Sequence, residues 1–187
     1  MALFSKFRTI FKPVTAAKTY TLLPPLPVVD PTGQLPDRRI LPRLNAHPDL
    51  RIVVVDDSAT VCAALRKILQ SIGLNVRVAS DAESGLEMIL ADPPDLVFLD
   101  IVLPKMNGFS ALRVLRRNPL TRTIPVIMIS GNEQATEQFF GSAIGADDFM
   151  KKPFSRAEVF ERMERLLDDD LRPRRRSPMT VPAPLAP

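Results

Sequence analysis

The stretch "RIVVVDDSAT", residues 51–60, decides the fold. Arg51 to Val55 read as a strand, because a continuous β-branched run suits a sheet buried on both faces. The run ends abruptly in two adjacent carboxylates, Asp56 and Asp57. Such neighbours repel, and a folded chain keeps them where something cationic compensates. Taken alone, the pair has a plainer reading: one acid is solvated and the other caps the helix that follows. The rest of the chain has to choose between the two.

Outward from that stretch the sequence alternates with little spare length. An amphipathic helix is predicted over 58–72, ended by Gly73. "NVRVA" (75–79) is a second strand, and "SDAE" (80–83) reads as a capping box in which Ser80 serves the free amides and Glu83 reaches back, opening a helix to Ala91. "DLVFLD" (95–100) is a third strand, apolar along its centre and ending in an acid. A loop with Pro104 and Gly108 leads to a helix over 109–117, then "IPVIMIS" (124–130) is a fourth strand, followed by a helix over 132–144. "DDFMK" (147–151) is a short fifth strand, and after Pro153 a capping box "SRAE" (155–158) opens a last helix to 168. Strands alternating with helices in this way predict an α/β domain with a parallel sheet.

The flanks differ from this middle. Of 19 prolines, eight precede residue 51 and five follow residue 167. The first fifty residues carry a net charge of +4, residues 51–167 a net −1 and the last twenty a net +1. The basic balance therefore belongs to Pro-rich arms around a nearly neutral domain. The expected division is a short amphipathic basic helix over 1–14, a Pro-rich linker over 15–49, a globular domain over 50–168 and a disordered Arg/Pro-rich tail over 169–187. The single cysteine, Cys62, excludes an internal disulfide and reads as a buried filler, and the lone His47 has no Cys or His cluster to suggest zinc. No apolar run has the length of a membrane span, and charges interrupt the hydrophobic residues of "MALFSKFRTIFKPV", so a cytoplasmic location is expected.

In parallel sheets of this kind, ligands bind outside the carboxyl ends of strands, at a topological switch point. Asp56 and Asp57 end the first strand, Asp100 the third and Ser130 the fourth, while Lys152 follows the fifth. Each has a dull explanation alone, but together they form a constellation at one edge. Converging carboxylates raise one another's pKa values, and a divalent cation reverses that effect; an all-oxygen site suits Mg²⁺. A carboxylate can also act as a nucleophile toward phosphorus. The transferred group then needs its equatorial oxygens neutralised, by Mg²⁺, by the Lys152 ammonium, and by the Ser130 hydroxyl with a backbone amide. Neither G-x-G-x-x-G nor G-x-x-x-x-G-K-[ST] occurs, so no nucleotide site is indicated.

"VVVDDS" (53–58), "LVFLDIVLPKMNGF" (96–109), "VIMISG" (126–131) and "GADDFMKKPF" (145–154) resemble the receiver domain of two-component response regulators, of the CheY-like kind. The resemblance covers residues 50–168 and implies a (βα)₅ fold with strand order 2-1-3-4-5. It also implies phosphoryl transfer from a histidine kinase to an aspartate. By position, Asp100 resembles the phosphoacceptor and Asp57 a direct Mg²⁺ ligand. Asp56 resembles the acid that holds the ion through water, and the backbone carbonyl of Val102 the remaining protein ligand. Ser130 matches the switch hydroxyl and Phe149 the aromatic whose rotamer follows it, outward before phosphorylation. Lys152 matches the phosphoryl-binding lysine, before a cis bond to Pro153, while Lys151 matches a variable, solvated position. Pro104 and Gly108 match the loop that shapes the acceptor pocket. The resemblance implies that the domain catalyses its own phosphorylation and dephosphorylation, without a separate enzymatic activity.

The output is read from what surrounds the domain. About twenty residues follow the last helix, too few for a helix-turn-helix module, so no specific DNA binding is expected, and "RPRRRSP" (172–178) reads as a solvated charged tail. The expected output is a stand-alone regulator that docks on an effector protein through the face formed by the fourth helix, fifth strand and fifth helix. The alternative is a phosphorelay intermediate that passes the phosphoryl group to a histidine phosphotransfer protein. "DIVLPKMNGF", "RNPLTRTIPVI" and the Phe140–Gly141 pair are also similar to single-domain regulators of type IV pilus twitching motility. On a helical wheel, Leu3, Phe4, Phe7, Ile10 and Phe11 share one face opposite Lys6, Arg8, Thr9 and Lys12. Residues 2–12 are therefore expected to dock on an anionic membrane surface or in a partner's hydrophobic groove.

Overall fold

The computed structural model describes residues 44–132, 134 and 145–175. Its elements run β1 (Arg51–Val55), α1 (Ala59–Gln70), β2 (Asn75–Ala79), α2 (Ala82–Ala91), β3 (Leu96–Asp100), α3 (Gly108–Arg117), β4 (Val126–Ser130), β5 (Asp148–Lys151) and α4 (Arg156–Glu164). The predicted N-terminal helix, most of the linker, the helix over 132–144 apart from residues 132 and 134, and the tail beyond 175 lie outside the described residues.

All five strands are parallel, in the order β2-β1-β3-β4-β5. The chain steps from β1 out to β2, then crosses back to β3 on the other side of β1. The switch point therefore lies between the carboxyl ends of β1 and β3, where Asp56, Asp57 and Asp100 stand. The two faces of the sheet separate by residue parity. Val53, Val55, Val97, Leu99, Val126 and Met128 pack with α2 and α3 residues such as Leu86, Ile89, Leu112 and Leu115. Ile52, Val54, Leu96, Phe98, Ile127 and Ile129 pack instead with Leu65 and Leu69 of α1 and with Val159, Phe160 and Met163 of α4. This is why the strands read as unbroken apolar runs: both faces are covered, so alternation would expose nothing to water.

Side-chain caps fix the helix starts. Ser58, Asn107 and Ser155 each accept from a backbone N–H in the first turn of α1, α3 and α4. The cap of α2 is Asp81, which accepts from Ser84 N at 2.8 Å, one residue later than the expected Ser80. Both residues have the chemistry, and the register of Ala82, Gly85, Leu86 and Ile89 against the sheet selects Asp81.

The edges of the domain also differ from expectation. Leu44 is buried with Leu50 beneath the α1 and α4 face, so the packed region begins inside the Pro-rich stretch. Residues 169–175, expected to be disordered, fold back on the domain. Leu167 bridges Pro173, Arg174 N donates to Leu166 O at 2.8 Å, and His47 N donates to Leu171 O at 3.1 Å.

Candidate acidic site at the sheet edge

Four side chains from three strand ends meet above the switch point. Asp56 is fully buried, Asp100 is 3% exposed and Asp57, the next residue after Asp56, faces solvent. Successive residues point to opposite sides as β1 ends, which separates the two acids. One oxygen from each of Asp56, Asp57 and Asp100 lies within 4.8 Å of the others. Lys152 reaches in from the end of β5. Its Nζ donates to Asp100 Oδ2 at 2.8 Å and pairs with Asp56 Oδ2 at 2.7 Å. The Asp56 contact is an ion pair off hydrogen-bond geometry, so Asp56 Oδ2 is buried with no hydrogen-bond donor. Asp56 Oδ1 accepts from Ser58 N at 3.0 Å, and the Cys62 thiol donates to the Asp56 carbonyl at 3.2 Å.

The electrostatics follow from this crowding. Burial pushes the Asp100 carboxyl above its ordinary value and the charge of Asp56 adds to the effect, while Lys152 and the Val102 amide pull it back without cancelling it. Burial also works against the Lys152 ammonium, but its contacts with Asp100 and Asp56 outweigh this and hold its pKa above the usual lysine value. Burial likewise raises the Cys62 thiol, which fits an inert, packed residue.

Three carboxylates face one ammonium, so the site carries excess formal negative charge. One of its buried oxygens lacks a donor, and the exposed Asp57 leaves an open side. Those residues fit a hard divalent cation that takes oxygen ligands and keeps part of its water. Asp57, Asp100 and Asp56 are the acids that would hold it.

The remaining predicted residues differ in what they contact. The Ser130 hydroxyl, fully buried, is engaged by its own chain: it accepts from Asn132 N at 3.1 Å and donates to Asn132 O at 3.3 Å. Val102 is 50% exposed and its amide donates to Asp100 Oδ1 at 3.3 Å. Gly108 lies under the acceptor: a Cβ there would come to 2.0 Å from the Asp100 carbonyl oxygen, so only glycine fits. Pro104 is exposed in the same loop, and the Lys152–Pro153 bond is cis. Lys151 is exposed and Lys152 points inward. Phe149, expected outward, is only 7% exposed and packs in the α2 and α3 core. The space beside it is apolar, which favours the buried rotamer.

Sequence reading missed the part played by Cys62. Its position six residues after Asp56, on the inward face of α1, was the available signal. A shallow, mostly apolar groove of about 360 Å³ also borders the site, lined by Thr60, Val61, Ala64, Lys152, Pro153 and Phe154.

The fold and the edge constellation define a doubly wound parallel α/β domain with an acidic site at its switch point. Residues 52–164, more than half of the chain, match the response regulator receiver domain, and the chain belongs to that family. Over 131 residues it is 37% identical to the alkaline phosphatase synthesis transcriptional regulatory protein SphR of Synechococcus elongatus, covering 65% of this chain and 50% of that protein. The chain thus spans about half the length of the curated relatives it matches. NtrX from Brucella abortus is similar in structure, with a TM-score of 0.57 and 34% identity over 63% of this chain and 27% of that one. The Vibrio cholerae chemotaxis protein CheY4 shares the fold, with a TM-score of 0.59 at 24% identity, over 64% of this chain and 99% of its own.

Proposed function

We propose that the protein is a response regulator whose Asp100 accepts a phosphoryl group from a histidine kinase and which signals by phosphorylation-dependent binding to an effector protein. The observation that carries this reading is the bridging of Asp56 and Asp100 by Lys152 Nζ at 2.7 and 2.8 Å. It puts a cation beside Asp100, a carboxylate that is nearly buried.

In the transfer, a carboxylate oxygen of Asp100 forms a bond to phosphorus as the P–N bond of the donor phosphohistidine breaks. The imidazole leaves with the electron pair and takes up a proton. Asp57, Asp100 and the Val102 carbonyl would hold Mg²⁺, with Asp56 acting through water, and the ion would supply neutralisation of the phosphoryl charge. Lys152 stays beside the modified Asp100 and pairs with a second oxygen. Ser130 leaves its bonds to Asn132 and turns its hydroxyl to the third. The apolar groove beside Lys152 gives the donor protein a place to seat while its phosphohistidine reaches Asp100.

That change in Ser130 biases a two-state surface that includes β5 and α4, where the effector docks. The transcriptional relatives extend well beyond the matched region, and a protein effector docking on this face is the reading for the domain itself. Incubation with acetyl phosphate and Mg²⁺ tests the first half: the wild type gains one phosphoryl group, and Asp100→Asn gains none. Asp57→Asn weakens the dependence on Mg²⁺. Equal incorporation by Asp100→Asn removes the proposal.

A further inference from the structure

At the opposite end of the sheet lies a second buried charge cluster that phosphoryl chemistry does not use. Asp147 precedes β5, and its side chain is only 1% exposed. Its Oδ2 accepts from Arg116 of α3 and from Val126 N of β4, each at 2.8 Å. Its Oδ1 is 3.3 Å from Nε of Arg175, which comes from the C-terminal segment. The same Arg175 guanidinium donates to the carbonyls of Arg122 at 3.2 Å and Gly145 at 3.3 Å. Arg116 in turn donates to the carbonyls of Gly145 at 2.8 Å and Ile124 at 2.7 Å. Each oxygen of one buried acid thus has its own guanidinium, and three loop carbonyls complete the socket. Burial raises the Asp147 carboxyl and lowers Arg116 to about 10, so neither charge is comfortable without its partners.

Position gives the socket its meaning. β5 is an edge strand, paired only with β4, and its lower end is held by Asp147 N to Val126 O at 3.0 Å and by the Asp147 carboxylate. Gly145, at φ +76°, closes the turn that leads into it. Asp147 is two residues before Phe149 and five before Lys152, along one short strand. The segment that delivers Arg175 is itself pinned, by the Leu167–Pro173 bridge, by Arg172 N to Asp168 Oδ1 at 2.9 Å and by His47 N to Leu171 O.

We propose that the socket of Asp147 and the Arg122 and Gly145 carbonyls is a binding site for the chain's own Arg175, and that the segment Leu171–Arg175 so held is a latch which opposes switching at Asp100. The latched arrangement coexists with a Ser130 hydroxyl still bonded to Asn132. Phe149 is already inward, so what the latch opposes is the approach of Ser130 and the shift of the loop that follows it. A partner that draws the tail away, or offers the socket an arginine of its own, then tunes the response from the far end of the domain. The regulatory half rests on Asp100 being the acceptor; the binding half does not.

The test uses the full chain, Arg175→Gln, and a chain ending at Pro173, which also removes Arg176 as a substitute and leaves the socket untouched. Arg174→Gln is the control, because Arg174 pairs with Asp168 and not with the socket. Hydrogen exchange without ligand is expected to quicken at least tenfold across residues 145–149 in Arg175→Gln and the truncated chain, and to stay within twofold in Arg174→Gln. Beryllofluoride with Mg²⁺ is expected to bind both latch variants at least threefold more tightly than the wild type. Unchanged exchange in both variants overturns the latch. Quickened exchange with unchanged beryllofluoride affinity overturns its opposition to switching. A wild type that fails to bind beryllofluoride refutes the acceptor reading and the regulatory half with it, while the exchange result judges the binding site separately.

Discussion

Replacing Lys152 by Met takes away the ammonium that lies 2.7 and 2.8 Å from two buried carboxylates. Asp56 and Asp100 side chains are 0% and 4% exposed, so water does not take over the role. Removing one partner of a buried pair typically costs about 3–5 kcal/mol. Lys152 is itself partly exposed, so the cost is taken at the low end, about 3 kcal/mol at pH 7.5, and burial already raises the Asp100 carboxyl, which eases proton uptake as the pH falls. With a urea m-value of about 1.5 kcal/mol/M the unfolding midpoint falls by roughly 2 M. The sign of the pH dependence follows from the same shift. A carboxyl whose folded pKa is raised stabilises the fold when protonated, and that contribution is lost as pH rises through the folded value. Without Lys152 the Asp100 value rises further, so the deficit of the variant shrinks as the pH falls from 7.5 to 5. Urea unfolding of both proteins in EDTA at the two pH values measures this. A deficit under about 1 kcal/mol at pH 7.5, or one that is equal at both pH values, refutes the reasoning.

Two further predictions concern the acceptor loop. Gly108→Ala sets a methyl group 2.0 Å from the Asp100 carbonyl oxygen, which is backbone and cannot rotate away, so a loss of about 2–3 kcal/mol is expected by urea unfolding, and a loss under about 0.5 kcal/mol refutes the steric account. Val102, half exposed beside the acceptor, cannot orient a hydrolytic water through its side chain, so the acyl phosphate is expected to last longer in the wild type than in Val102→Asn; an equal or shorter lifetime in the wild type, followed by loss of label, removes that idea.

The strand pattern was legible because burial on both faces turns each strand into an apolar run, as at Arg51–Val55, and because each run ends where the polar edge begins. The acids, Lys152 and Ser130 were legible by their places after those runs, and Gly108 only through the family resemblance. Which of Asp56 and Asp57 is buried was not, since adjacent residues differ only in the side to which the strand turns them. The cap of α2 was one residue off because Ser80 and Asp81 have equivalent capping chemistry. Phe149 depends on whether its neighbours leave room, a property of packing that no local pattern records. Arg175 was the least legible of all. Its partner Asp147 lies far back in the chain, and a run of arginines beside prolines has the composition of a solvated tail.

The central claim is that phosphorus arrives on Asp100 in a Mg²⁺-dependent step. Treating the protein with acetyl phosphate, trapping any acyl phosphate with borohydride and sequencing the peptides by mass spectrometry tests it most directly, because reduction converts a phosphorylated aspartate to homoserine where it stands. The account predicts homoserine at position 100, in the presence of Mg²⁺ and not in EDTA. Homoserine at Asp56 or Asp57, or labelling that is equal with and without Mg²⁺, would contradict it.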